Sequence, residues 1–400
     1  MQTVPNANRK HIAFYGKTNS GKSSLLNRLT GQEVAIVSEQ EGTTTDPVIK
    51  AMELIPVGPV VWIDTAGVQD ETALGKLRLK KTMDMLMRTD IAIYVMAADD
   101  IDIEAFNTFK LNFKKYAIPF ILVISQVDKV NKVEQIKLKE KFKDAILTSV
   151  KADIGIEHLK EILIKKIQEE EEERPLVGDL LPYGAKVILV VPIDSEAPKG
   201  RIILPQVQCI RDCLDHGIKS YVVRDTELAE ALTEIKDVDL VITDSQAFAT
   251  VSKIVPESIK LTGFSLLMSR QKGDLDVFMK GIEKVKILKP GARVLILEGC
   301  THNVSHEDIG RIKIPRLLNK YVGGELKYTF IAGQDFPGNL SDYDIVIHCG
   351  GCMLTRKTVC NRIRICEEAD VAITNYGILL AFLNGILERS YEAINVKAKG

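Results

Sequence analysis

Three parts of the chain carry residues whose types and spacing suit them to chemistry. The first, Gly16-Lys17-Thr18-Asn19-Ser20-Gly21-Lys22-Ser23, fits the pattern G-x-x-x-x-G-K-S. Gly16 and Gly21 let backbone N–H groups converge on phosphates, Lys22 reaches the terminal phosphate oxygens, and the Ser23 hydroxyl is placed to ligate Mg²⁺. Ser24, next along the helix start, joins the nucleotide-binding set. Downstream lie Gly42-Thr43-Thr44-Thr45-Asp46 and Asp64-Thr65-Ala66-Gly67. A hydroxyl such as that of Thr44 completes a Mg²⁺ shell only when a γ-phosphate is present, Asp64 holds the metal through water, and the Gly67 N–H meets the γ-phosphate. The last part pairs Cys300-Thr301-His302 with His348-Cys349-Gly350-Gly351-Cys352. Three thiolates with an imidazole suit zinc as Cys₃His, or a 4Fe-4S cluster with one iron lacking a cysteine, and spacing does not separate the two. Glu298 and His306 are further candidates for the remaining position.

These residues need an α/β scaffold. Apolar runs at 11–15, 60–63, 91–97 and 120–124 alternate with longer amphipathic stretches, the rhythm of β-α-β units in a parallel sheet. Both cysteine segments follow apolar runs, 294–297 and 345–347. In an open parallel sheet the strand C-termini share one edge, where ligands bind, so the two segments are expected to converge there. The expected class is α/β: a phosphate-loop domain with a mostly parallel sheet, followed by two smaller Rossmann-like α/β domains. Boundaries are drawn at 1–172, a Pro- and Gly-containing linker at 173–185, then 186–270 and 271–400. Cys209 and Cys213, four apart on an expected helix, and Cys360 and Cys366 read as packing residues.

The 400 residues carry 53 basic and 54 acidic side chains and are 46% hydrophobic. That balance excludes a disordered chain and gives no global field toward nucleic acid or anionic lipid. No apolar run is long enough to span a bilayer, and the start of the chain has no secretory signal, so a cytoplasmic location and no membrane partner are expected.

Residues 9–168 resemble the translation-factor-like GTPases of the Era and MnmE type. The resemblance implies GTP and GDP as ligands, Mg²⁺, and hydrolysis carried by Lys22, Asn19, Thr44, Asp64 and Gly67. It places Ser125-Gln126-Val127-Asp128 where the family has N-K-x-D, leaving Asp128 to accept from guanine while serine and glutamine replace the other two. Ser149 and Val150 match the loop whose backbone meets guanine O6. Relatives without a catalytic glutamine use a phosphate-loop asparagine to hold K⁺; Asn19 matches it, which implies slow, potassium-stimulated turnover. The pattern C-x-H, then H-C-x-x-C behind a GTPase domain, resembles the HydF family of FeFe-hydrogenase maturation GTPases over essentially the whole chain. That resemblance implies a homodimer or higher homo-oligomer assembled through the middle domain, and a 4Fe-4S cluster on Cys300, Cys349 and Cys352 with His302 or His348 near the remaining iron. It also implies a scaffold or carrier of the diiron subcluster, with apo FeFe-hydrogenase and radical-SAM maturation enzymes as partners and no nucleic acid. A GTPase of RNA modification or ribosome assembly with a structural zinc module is the alternative.

Overall fold

Runs such as Ile91–Ala97, buried along their whole length, need cover on both faces, which a parallel sheet between helical layers supplies. The computed structural model describes residues 6–31, 47–67, 73–169, 174–193, 200, 202–299, 308–333, 336–337 and 339–395. Residues 1–172 form one compact unit and 173–400 another.

The first unit has six strands among its described residues: β1 Lys10–Tyr15, β2 Val48–Leu54, β3 Gly58–Asp64, β4 Ile91–Ala97, β5 Phe120–Ser125 and β6 Ile146–Leu147. Their order is β2-β3-β1-β4-β5-β6, with only β2 antiparallel. The order reverses at β1, so the crevice for a ligand lies beyond its C-terminus. Helix Ile103–Lys115 covers one face with Phe106, Phe109 and Phe113, and helix Ile156–Glu169 covers the other with Ile156, Leu159, Leu163 and Ile167. Both sets recur at helical spacing. β2 escapes the apolar pattern because its face is half exposed.

Among its described residues the second unit holds two four-stranded parallel sheets. One orders β7 Lys186–Val190, β8 Lys219–Val223, β9 Leu240–Thr243 and β10 Lys260–Gly263 as β10-β9-β7-β8. The other orders β11 Arg293–Glu298, β12 Lys327–Ala332, β13 Ile345–His348 and β14 Ala372–Asn375 as β12-β11-β13-β14.

One hydrophobic cluster runs from Leu176 through Phe264 to Ile394, so apolar packing is continuous across residues 270 and 271. The stretch expected as a linker is packed structure as well. Leu176, Val177 and Leu180 are buried, the N–H groups of Val177 and Gly178 donate to the Asp212 carboxylate, and Arg270 pairs with Asp179. Proline and glycine here shape a turn, and the apolar residues between them anchor it. Cys209, Cys213 and Cys366 are fully buried in this cluster, and Cys360 is half-buried with its thiol on the Lys272 carbonyl at 3.6 Å.

Candidate functional site

The phosphate loop leaves β1 and enters helix Lys22–Thr30 through Gly21 at φ 87°, a left-handed residue. Gly16, at φ 141°, lies so close to β4 that a Cβ would stand 2.2 Å from the Val95 carbonyl oxygen. Only glycine fits both demands. Lys22 is buried, and its Nζ donates to the Gly16 and Lys17 carbonyls at 3.0 and 2.7 Å. Burial lowers its pKa to about 8, against the opposing pull of Asp64. These two carbonyls hold the ammonium over the concavity of the loop.

Ser23 Oγ donates to Asp64 Oδ2 at 2.5 Å. Burial raises the Asp64 pKa, and the Ser23 bond and Lys22 charge oppose it. Asp64 Oδ1 is buried with no hydrogen-bond partner among the described residues, as is the hydroxyl of Ser20. A hydroxyl and a carboxylate side by side, with one carboxylate oxygen orphaned, make a donor set that fits a hard divalent cation such as Mg²⁺. Gly67 lies against the loop, where a Cβ would come within 2.5 Å of the Thr18 backbone nitrogen. Ser24 is half-buried in the first turn of the helix. Thr44 lies outside the described residues.

The altered base-reading segment is tied to the phosphate loop. Ser125 Oγ donates to the Ser20 carbonyl at 2.5 Å and reaches the Met96 carbonyl at 3.2 Å. Gln126, in a left-handed conformation at φ 57°, donates from Nε2 to the Asn19 carbonyl at 2.8 Å. The two residues that depart from the family pattern thus make neutral clamps across the site. In sequence Gln126, like Ser125, reads only as a departure from the family pattern; its bond to the Asn19 carbonyl gives it a role. Asp128 is exposed and accepts from Ser149 Oγ at 2.5 Å, a bond that is the main cause of its lowered pKa. Ser149 Oγ also accepts from the Ala152 N–H, which shapes the loop carrying Val150. Asn19 is exposed at φ 61°. Two ion pairs that sequence reasoning missed, Lys17–Asp100 at 2.6 Å and Lys129–Asp99 at 3.3 Å, anchor both loops to the end of β4.

In the second unit, β11 and β13 are parallel neighbours with Leu297 opposite His348. Past these strands the Cys349 N–H donates to the Leu297 carbonyl at 2.8 Å, and the Gly299 N–H points at Cys349 Sγ, 3.0 Å away. Gly299 immediately precedes Cys300 in the sequence. Gly351, at φ 69°, permits the tight turn between Cys349 and Cys352. Burial pushes the Cys349 thiol up, while the N–H groups of Gly351 and Gly299 and the Arg362 guanidinium pull it down. N–H groups aimed at sulfur suit a thiolate bound to a metal centre, so the turn fits an iron–sulfur cluster or zinc. Cys300, His302 and His306 lie outside the described residues. Among the described residues no three His, Cys, Asp or Glu side chains group to hold a metal.

His348 departs from its expected role. Its Nδ1 lies 2.6 Å from the Cys349 carbonyl and its Nε2 3.0 Å from Arg362 Nη1, so neither ring nitrogen is open to a metal. The strand places this ring inward, at no exposure. Glu298 pairs with Arg311 through Oε2, while its Oε1 is buried without a partner among the described residues.

Three parts of the chain match known protein families. Residues 11–126 match the 50S ribosome-binding GTPase model, 176–273 the hydrogen maturase F dimerization domain, and 276–393 the hydrogen maturase F tetramerization domain. A tRNA modification GTPase MnmE from Caldicellulosiruptor saccharolyticus is 33% identical over 168 residues, 41% of this chain and 35% of that protein. A GTPase Era from Carboxydothermus hydrogenoformans is 28% identical over 185 residues, 44% of this chain and 61% of that protein. The chain therefore spans less than two thirds of either relative. A crystal structure of an Era variant from Aquifex aeolicus, bound to GDP and AlF4⁻, covers 54% of this chain and 94% of its own at 18% identity and a TM-score of 0.37. With both hydrogen maturase F modules following a GTPase domain in order, the chain belongs to the hydrogen maturase F (HydF) family.

Proposed function

We propose that the protein is a GTP-hydrolysing scaffold that holds an iron–sulfur cluster and carries the diiron subcluster precursor to apo FeFe-hydrogenase. GTP hydrolysis on the first unit regulates exchange of partners, radical-SAM maturation enzymes among them. The dimerization and tetramerization modules support a homo-oligomer. Among the described residues no helix is long and apolar enough to cross a membrane.

Lys22 meets the β- and γ-phosphate oxygens, Ser23 and Asp64 hold Mg²⁺ together with Thr44, and Gly67 offers its N–H to the γ-phosphate. When bound, Mg²⁺ neutralises charge on the phosphates. No side chain next to Gly67 orients water in the manner of a catalytic glutamine, since Val68 holds that position. Turnover is accordingly slow and stimulated by K⁺ held at Asn19. Asp128 selects guanine, with Ser149 and Val150 closing the base pocket, while Ser125 and Gln126 hold that pocket against the phosphate loop.

Cys349, Cys352 and Cys300 are the proposed cluster ligands, with His302 near the remaining iron. A 4Fe-4S cluster with one weakly held iron supplies an exchangeable position for an incoming ligand. This chain's contribution is the turn at Gly350 and Gly351 and the N–H groups around Cys349. The observation that carries the reading is the Gly299 N–H on Cys349 Sγ, 3.0 Å, which ties the end of β11 to the start of the C-x-x-C turn.

Anaerobic reconstitution followed by iron and sulfide counting tests it. A brown, oxygen-labile protein with about four irons per chain is the expected product. A colourless, zinc-loaded protein favours a GTPase of RNA modification with a structural zinc module. The likeness to MnmE gives that alternative little support, because it is confined to 168 residues, 41% of the chain.

A further inference from the structure

The nucleotide loops occupy one end of the six-stranded sheet, and a second concavity opens at the other. Its volume is about 820 Å³, and it lies where β5 and β6 begin, bordered by helices Ile103–Lys115, Lys132–Lys141 and Ile156–Glu169. The floor is apolar, formed by Phe120, Ile121 and Leu122 of β5 with Ile146 and Ile162. The rim is basic: Lys110, Lys139, Lys141, Lys143 and Lys166 face only Glu140 and Asp144. None of the five lysines forms an ion pair among the described residues. Lys139 donates to the Ala145 carbonyl at 2.7 Å and Lys141 lies 5.5 Å over the Phe142 ring. On a chain of net charge -1, this is a local positive field over an apolar trough.

Topology adds a second observation. β6 is two residues long and, among the described residues, pairs only with Val123 and Ile124. The stretch Phe120–Leu122 has β4 on one side and, among the described residues, no strand on the other. It is this stretch that lines the groove. An adjoining hollow of about 470 Å³ continues the trough along helix Ile103–Lys115, past Lys114 and Leu111, which is 70% exposed.

We propose that this groove docks an extended, acidic segment of a partner protein, laid as an added strand beside the start of β5. Main-chain hydrogen bonds to β5 supply affinity, alternate apolar side chains lie on the floor, and the intervening carboxylates meet the lysine rim. A single-stranded nucleic acid fits less well. It would need aromatic faces for stacking, and the ring of Phe120 is already engaged by Phe113 at 5.5 Å and Phe106 at 5.9 Å.

The test uses the full chain and fluorescence anisotropy with a short labelled peptide of alternating Glu and Val. Expected are binding that weakens as salt rises and a loss of affinity of about tenfold or more in the triple variant Lys110→Glu, Lys143→Glu, Lys166→Glu. These lysines are remote from the phosphate loop, so GTP turnover of the variant should match the parent and report its folding. Lys→Gln at the same three positions gives a smaller loss in the same direction. A peptide N-methylated on alternate amides should bind poorly, which separates strand addition from charge attraction alone. The proposal fails if the Glu-Val peptide does not bind at low salt, if charge reversal leaves its affinity unchanged, or if the N-methylated peptide binds equally. It fails too if a labelled single-stranded RNA outcompetes the peptide at these lysines.

Discussion

Arg362 Nη1 donates to His348 Nε2 at 3.0 Å, and this bond fixes the chemical state of the histidine. A guanidinium has no acceptor, so Nε2 must accept and Nδ1 must carry the proton that it gives to the Cys349 carbonyl, 2.6 Å away. Burial and the Arg362 charge push the His348 pKa down to about 3. The ring is neutral and acts as a strut between helix Arg356–Glu368 and the cysteine turn. Arg362 also donates to the Gly333 carbonyl at 2.8 Å. Arg362→Met leaves both acceptors short of a partner and should cost about 1–3 kcal/mol of stability, read from urea unfolding by circular dichroism. Arg362→Lys, which keeps the charge but not the two-pronged geometry, should lose most of the same amount.

Lys22 gives the pH prediction. Its pKa of about 8 without nucleotide means that the ammonium begins to lose its proton above that pH, while a bound triphosphate restores it. GTP binding above pH 8 should take up close to one proton, and affinity should fall by up to about tenfold per pH unit there. Calorimetry in two buffers of different ionisation enthalpy measures the uptake. On folding the sign is opposite. Between pH 8 and the unfolded value of 10.5 the unfolded chain binds more protons, so the destabilisation from burying this ammonium is full below 8 and relieved as pH rises to 10.5.

Ser125→Ala removes the hydroxyl that satisfies the Ser20 carbonyl. A loss of about 1–2 kcal/mol is expected, with weaker nucleotide binding because the phosphate loop loses a tie to the base loop. Trp62, the single tryptophan of the chain, is buried in β3, so its fluorescence during denaturation reports this unit alone.

Asp128→Asn exchanges an acceptor for a donor at the base. Selectivity for GTP over ATP should collapse in a competition assay with a fluorescent nucleotide, and an unchanged preference would remove Asp128 from the base-reading role.

Cys349→Ser should abolish iron retention after anaerobic reconstitution and leave GTP turnover within about twofold of the parent, because the two sites lie on separate compact units. Full iron content in the variant would exclude Cys349 as a ligand.

The sequence disclosed the phosphate loop and the cysteine edge because each ends a strand whose apolar run is unbroken. Glycines at 16, 21 and 351 mark turns that other residues resist. It did not disclose what depends on distant pairing. Serine and glutamine at 125 and 126 read as losses from a family pattern, and only their bonds to the Ser20 and Asn19 carbonyls reveal a replacement clamp. His348 read as a ligand because histidine beside cysteine is a metal pattern; Arg362, fourteen residues on, shows no sign in sequence of reaching back to it. β6, β10 and β14 were missed because two to four residues are too few for periodicity to register. The strand Lys260–Gly263 also ends in a glycine pressed against Phe248, a contact no local pattern encodes.

The unbroken apolar cluster from Leu176 to Ile394 bears on how this half of the molecule can be handled and how it changes over generations. Gly377 abuts Ser265, and the Asn375 amide donates to Ser269, so close contacts of small and polar side chains punctuate a seam that is otherwise apolar. Separate expression of either sheet would lay bare a greasy wall and invite precipitation. Heating should melt both sheets in one step. Substitutions on one side of this seam will be tolerated chiefly when the other side changes in concert, so the dimerization and tetramerization modules are expected to be inherited together.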